Sequence, residues 1–247
     1  MKQAMIFAAG LGTRLRPITD TMPKALVPVG GKPLLWHVIE KLRRAGVGRI
    51  VVNVHHFAQQ IKDYIAANDG FGLDMRISDE TAMLLDTGGG IRKARPLFDA
   101  DSPVLIHNVD ILSDADIGSL YATIESRDGT TDAALLVSPR PSSRALAFDA
   151  ATMRLTGWHN LNTDESRGHV GADSVQLAFS GIHIISPKLL RRMDTWPERF
   201  GIIDFYLDAC PVTDIVGVNI PALRLLDIGK LSTLAEADVF AASLTET

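Results

Sequence analysis

The sequence predicts an α/β fold, a mixed and mainly parallel sheet flanked by helices. Three observations carry that expectation. Short apolar runs alternate with amphipathic stretches over the first half of the chain, as when strands are joined through covering helices. The first run, residues 4–9, is long enough for one buried strand and breaks at once into Gly10-Leu11-Gly12-Thr13. The Gly10 loop, His55, Glu80 and Asp110 each stand just past an apolar run, at the carboxyl ends of strands where such sheets gather ligands.

Taken in order, strands are expected over residues 4–8, 49–54, 73–77, 103–107 and 133–137, and helices over 34–45, 57–67, 90–98 and 117–126. In the first helix Leu34, Leu35, Val38, Ile39 and Leu42 have the spacing of one buried face, and Gly46 supplies a stop. The second half is less regular. Short strands are expected over 146–148, 154–158, 177–185 and 212–218, with helices over 187–193, 203–209 and 230–242. The polar, glycine-containing segment 160–173 reads as a flexible loop.

Composition narrows the function classes. With 247 residues and 46% apolar content, the chain suits one domain with a substantial core. A net charge of −4 with its 25 basic residues scattered argues against nucleic acid as a partner. The single Cys210 excludes an internal disulfide and a cysteine zinc site, and it fits a reducing, cytoplasmic setting. No apolar stretch reaches membrane length. A monomer or small homo-oligomer is expected, and the chain stops soon after Asp227, so no further C-terminal domain is expected.

The chemistry concentrates in the first 33 residues. A buried strand opening into a glycine loop presents backbone N–H groups with nothing in front of them, which suits a phosphate. Arg14 stands two residues past Gly12 and Lys24 ten further on, both able to neutralise it. The loop is not a dinucleotide fingerprint, since position 15 is Leu15 rather than glycine and Pro17 and Pro23 oppose an immediate helix. Nor is it a P-loop, because Gly12-Thr13-Arg14 replaces Gly-Lys-Ser/Thr. A lone Gly-x-Gly is most often a plain turn; with Arg14, Pro23 and Lys24 it reads as a triphosphate site.

Two carboxylates complete the picture. The apolar run before Asn108-Val109-Asp110 puts Asp110 at the same sheet end as the loop, and Leu223-Arg224-Leu225-Leu226 runs into Asp227. Either Asp alone would more often be a turn or helix cap. One or two carboxylates with phosphate oxygens and waters are the usual protein share of a nucleotide-bound Mg²⁺. His55-His56 cannot readily share an ion, because neighbours on an extended chain face opposite ways.

These residues resemble the sugar-1-phosphate nucleotidyltransferase family. The matching stretches are Gly10 to Pro17, Pro23-Lys24, Leu26-Val27-Pro28-Val29 and Gly31-Lys32-Pro33-Leu34, and the likeness continues more thinly to about residue 240. Within the family the chain looks most like short N-acetylmuramate-1-phosphate uridylyltransferases and mannose-1-phosphate guanylyltransferase-like proteins. The resemblance implies a Rossmann-like sheet with a nucleotide-binding half over about 1–138 and a sugar-binding half over about 139–247. It implies an NTP, UTP or GTP, with a sugar-1-phosphate as partners and Mg²⁺ as cofactor. Arg14 and Lys24 would be catalytic, and Asp110 and Asp227 would hold the metal. Ala8, Gly10, Leu11, Gly12, Thr13, Glu80, Gly88 and Asn108 would contact the nucleotide, and Gly89, Asn160 and Gly181 the acceptor. The run Asp86-Thr87-Gly88-Gly89-Gly90-Ile91 is similar to one in the uridylyltransferases, its glycines allowing close approach of a base or sugar.

The sequence departs from the family in three places. Val109 fills a slot that many relatives give to a small residue, no Tyr-Gly pair is evident around Ala147-Phe148, and Trp158-His159-Asn160-Leu161 stands near where a Glu-Lys-Pro motif is expected. The sugar is therefore open at this stage. A metal-dependent glycosyltransferase would leave Arg14 and Lys24 unexplained, and a non-catalytic nucleotide sensor would be expected to lose one of the four charged residues, all of which are present.

Overall fold

The computed structural model describes residues 1–126, 130–220 and 222–245. In chain order the strands and helices are β1 (Lys2–Phe7), β2 (Pro28–Val29), β3 (Lys32–Pro33), α1 (Leu34–Arg44), β4 (Val47–Val54), α2 (Ala58–Ala67), β5 (Asp74–Asp79), α3 (Asp86–Ala94), β6 (Val104–Asn108), β7 (Ile111–Ser113), α4 (Ile117–Ser126), β8 (Ala133–Ser138), β9 (Arg144–Asp149), β10 (Leu155–Asn160), β11 (Glu165–Gly168), β12 (Ser174–Ile185), α5 (Pro187–Arg192), α6 (Ile202–Ala209), β13 (Ile215–Asn219), β14 (Leu225–Asp227) and α7 (Leu234–Thr245). No helix among the described residues is long and apolar enough to cross a membrane.

Ten described strands form one mixed sheet, with the path β11-β10-β9-β12-β6-β1-β4-β5 and with β8 and β13 continuing from β12. Strands β1, β4, β5 and β6 run parallel, so their carboxyl ends share one edge. Both faces are covered. Ala4 and Ile6 of β1 point into a core with Leu35, Val38 and Leu42 of α1, Ile61 of α2, Leu120 of α4 and Ala237 of α7. Met5, one residue out of step, points into the opposite core with Ile91 of α3, Leu189 of α5 and Phe205 of α6. That alternation turns a continuous apolar run into a central strand buried on both sides. All five periodic positions of α1 are buried, and Gly46 ends the turn at φ +80°.

The long strand β12 links the two parts of the sheet. Its Ile182–Ile185 end lies antiparallel between β6 and β8, whereas its Ser174–Leu177 end pairs with β9. The register shifts between Phe179 and His183, where Gly181 adopts φ +73°, a backbone that glycine accepts without strain. Strands β9 to β11 thus project beyond the carboxyl edge of β6.

Three sequence expectations need correction here. Residues 165–168, expected within a flexible loop, form β11, paired with β10 from Gly157↔Gly168 to Asn160↔Glu165; all four are exposed, so no hydrophobic alternation marks them. The helix expected at 90–98 begins at Asp86, with the glycines inside it. The strand expected from 212 begins at Ile215, Val212 being exposed.

Candidate active site

The glycine loop leaves β1 after Phe7. The Asn53 side chain, at the end of β4, fixes its first step: Asn53 Oδ1 accepts from the N–H groups of Ala8 (2.7 Å) and Ala9 (3.3 Å). The Asn53 amide donates to Glu80 Oε1 (2.7 Å), and Glu80 Oε2 accepts the Leu85 N–H (3.1 Å). Glu80 is fully buried with both oxygens engaged by the protein, and the Ala8 amide is likewise spent on Asn53. This clamp ties three strand ends together. Asn53 escaped the sequence reading, although a polar residue inside Val51-Val52-Asn53-Val54 was its signal.

Beyond the clamp the loop is open. A Cβ at Gly10 would meet nothing within 4 Å. Gly12 sits at φ +63°, where a Cβ would lie 2.9 Å from Thr19 Cγ2 and 3.1 Å from Lys24 Cβ. Its carbonyl accepts the Thr19 hydroxyl at 2.8 Å and the Leu15 N–H at 2.8 Å. The N–H groups of Gly10, Leu11 and Gly12 have no protein acceptor among the described residues. Unspent amides at the end of a buried strand are what an anion site needs.

Lys24 lies in a single 3₁₀ turn after Pro23, almost fully buried and ion-paired with Asp110 Oδ2. Asp110 follows β6, and from it the chain turns into β7, which pairs antiparallel with β14 so that Asp227 faces Ile111. The Ile228 N–H donates to the Asp110 carbonyl at 2.9 Å. This small ladder brings together the Asp110 and Asp227 segments, far apart in sequence. A Cβ at Gly229 would lie 2.8 Å from Arg14 Nη2 and 2.9 Å from Asp227 Oδ1. Arg14 therefore reaches from the first loop across to Gly229, beside Asp227.

One cleft of about 490 Å³ is lined by Ala8 to Arg14, Lys24, Thr87, Asn108, Asp110, Arg199 and Gly229, and Asp227 stands beside it, two residues before Gly229. Arg199 belongs to no motif and was not anticipated. Next to Asn108 in the chain, burial pulls the His107 imidazole down to about 4, so it is neutral at pH 7. The donor set fits a hard cation. Asp110 and Asp227 carry oxygen donors of the kind such an ion takes, and phosphate oxygens and waters commonly complete its shell.

The remaining sequence candidates lie elsewhere or are engaged. A Cβ at Gly88 would fall 2.2 Å from the Phe200 ring and one at Gly89 2.3 Å from the Glu198 carbonyl. Both glycine N–H groups donate to the Phe200 carbonyl, at 2.8 and 3.2 Å, so the close approach they permit here is that of the chain's own 198–200 segment. Gly181 packs against Asn108, whose Nδ2 would be 2.7 Å from a Cβ there; it shapes the cleft through Asn108. Asn160 begins the β10–β11 turn, accepting the Asn162 N–H at 3.0 Å, away from the cleft.

Residues 3–148 match the family model for a nucleotidyl transferase. The chain is 36% identical over 196 residues to the N-acetylmuramate alpha-1-phosphate uridylyltransferase of Caulobacter vibrioides, covering 76% of each. It is 30% identical over 212 residues to the mannose-1-phosphate guanyltransferase of Kluyveromyces lactis, covering 81% of this chain and 56% of that one. In fold it is similar to the inositol-1-phosphate CTP transferase of T. maritima, with TM-score 0.76 at 15% identity over 100% of this chain and 97% of the other. An open glycine loop, two cations and two aspartates brought near by a short ladder agree with these likenesses: the chain belongs to the nucleotidyl transferase family and is a sugar-1-phosphate nucleotidyltransferase.

Proposed function

We propose that the chain joins UTP to N-acetylmuramate-1-phosphate, releasing pyrophosphate and forming the UDP-sugar. The observation that carries the reaction is the juxtaposition of the open Gly10–Gly12 amides, Arg14, Lys24 and Asp110 at one cleft, with the Asp227 segment brought alongside by the β7–β14 ladder. An oxygen of the acceptor phosphate attacks the α-phosphorus of UTP, and the bond from that phosphorus to the pyrophosphate oxygen breaks. Such transfers ask the protein for alignment and charge compensation rather than a nucleophile. Arg14 binds the departing pyrophosphate, its planar fork matching two phosphate oxygens. Lys24, ion-paired with Asp110 here, balances charge at the α-phosphate. Asp110 and Asp227 would hold Mg²⁺, which supplies further charge neutralisation on the phosphates. Residues 1–138 serve the nucleotide and 139–247 the acceptor.

The choice of UTP and a muramate rests on the relatives matched across most of their length. The test is pyrophosphate release across the four NTPs and a panel of sugar-1-phosphates. UTP with N-acetylmuramate-1-phosphate is expected to give the highest kcat/KM. A higher value for GTP with mannose-1-phosphate would replace this reading with a guanylyltransferase.

A further inference from the structure

A second cavity, of about 400 Å³, lies where β9, β10 and β12 project past the sheet, bordered by Arg144, Leu146, Trp158, Arg167, Phe179 and Asp204. It adjoins the catalytic cleft through two shared walls. Along β12, Phe179 lines the cavity, and two residues on Gly181 packs under Asn108 of the cleft. Along the other wall, Arg199 lines the cleft and Ile203 and Asp204 line the cavity, with the Ile202 N–H held by the Thr87 hydroxyl at 2.9 Å between them.

The cavity is apolar in its body and cationic at its rim. Leu146, Trp158 and Phe179 form the body, and Trp158 stands opposite both Leu146 and Arg167 across the strands. Arg167 is already committed: its Nη1 is 2.6 Å from Asp204 Oδ1, and its guanidinium lies 6.0 Å over the Trp158 ring. Arg144 is exposed, and its guanidinium has no ion-pair or hydrogen-bond partner among the described residues. Behind the same wall Arg140 donates to the Phe179 carbonyl at 2.9 Å, while its Nε is buried with no partner. With Asp204 answered by Arg167, the cavity carries an excess of positive charge.

We infer that this cavity reads the carboxylate-bearing substituent of the acceptor sugar, with Arg144 as its specificity-determining residue. The inference rests on the acceptor proposed above, a sugar phosphate that carries a lactyl ether. The lactyl methyl meets Trp158 and Leu146, and the carboxylate pairs with Arg144 in the two-pronged geometry that an ammonium cannot reproduce. Acceptors without the lactyl group leave Arg144 with nothing to bind.

The test compares kcat/KM for N-acetylmuramate-1-phosphate and N-acetylglucosamine-1-phosphate, which differ only by the lactyl ether, with UTP in wild type, Arg144→Gln and Arg144→Lys. Arg144 is exposed, so the substitutions should not disturb folding. Wild type is expected to favour the lactyl-bearing acceptor. Arg144→Gln should lower that preference about ten- to a hundredfold, as befits a lost charged hydrogen bond, and Arg144→Lys should restore part of it. A wild-type preference that survives Arg144→Gln overturns this inference and leaves the proposed acceptor standing. A wild type that shows no preference overturns both.

Discussion

Two glycines two residues apart in the first loop do different work. At Gly12, φ +63° and the 2.9 Å approach to Thr19 leave no room for a side chain, whereas Gly10 faces open space. Gly12→Ala should therefore cost roughly 1–3 kcal/mol in a urea melt, and Gly10→Ala should stay within about 0.5 kcal/mol of wild type. Equal losses would contradict this division of roles. Arg14 makes its own prediction, since it bridges from the loop to Gly229 beside Asp227. Arg14→Ala should lower kcat on the order of 10²–10³, as loss of one donor aimed at developing charge does, and Arg14→Lys should recover only part of it. If steady-state kinetics show a rise in KM alone, with kcat intact, Arg14 provides uniform binding instead of assisting departure.

The elements show where sequence patterns carry information and where they do not. Helix α3 packs its first turn so closely on 198–200 that Gly88→Ala should cost about 1–3 kcal/mol by overpacking against Phe200; Phe200→Leu in the same chain should return part of that stability in the same urea melt. Strands β6 and β12 carry His107 and His183, whose imidazoles burial lowers to about 4 and about 3. Both are depressed below the ordinary 6.5, so the stability they allow is fully present above that pH and is lost as pH falls toward the folded values, by up to about 1.4 kcal/mol per pH unit each. Proton NMR should find neither ring titrating above pH 5; a midpoint near 6.5 for either would contradict its burial. Strands β1 and β4 and helix α1 were legible because an apolar run or a 3.6-residue period records burial directly. Strands β7 and β14 were not, since three residues are too few for a pattern, and exposed β11 had no pattern to show. That Arg14, Lys24 and Asp110 gather at one cleft was legible from loop chemistry and strand ends. Asn53 left only a polar break in an apolar strand, and its clamp exists only once β4 and β5 bring it against Ala8 and Glu80.

At the scale of the whole molecule, the parallel strands bring the glycine loop and Asp110 to one edge, and the β7–β14 ladder returns the chain so that Asp227 stands beside them. The central claim is that these two carboxylates act as one unit. Its most direct test is the kcat of pyrophosphate release, under saturating substrates and Mg²⁺, for Asp110→Asn, Asp227→Asn and the double variant, with circular dichroism confirming the fold. Each single variant should lose on the order of 10²–10⁴ in kcat, and the double variant should be about as slow as the worse single one, since groups serving one function are not additive. Near-wild-type activity in either single variant, or a double variant slowed by the product of the two losses, would contradict the claim.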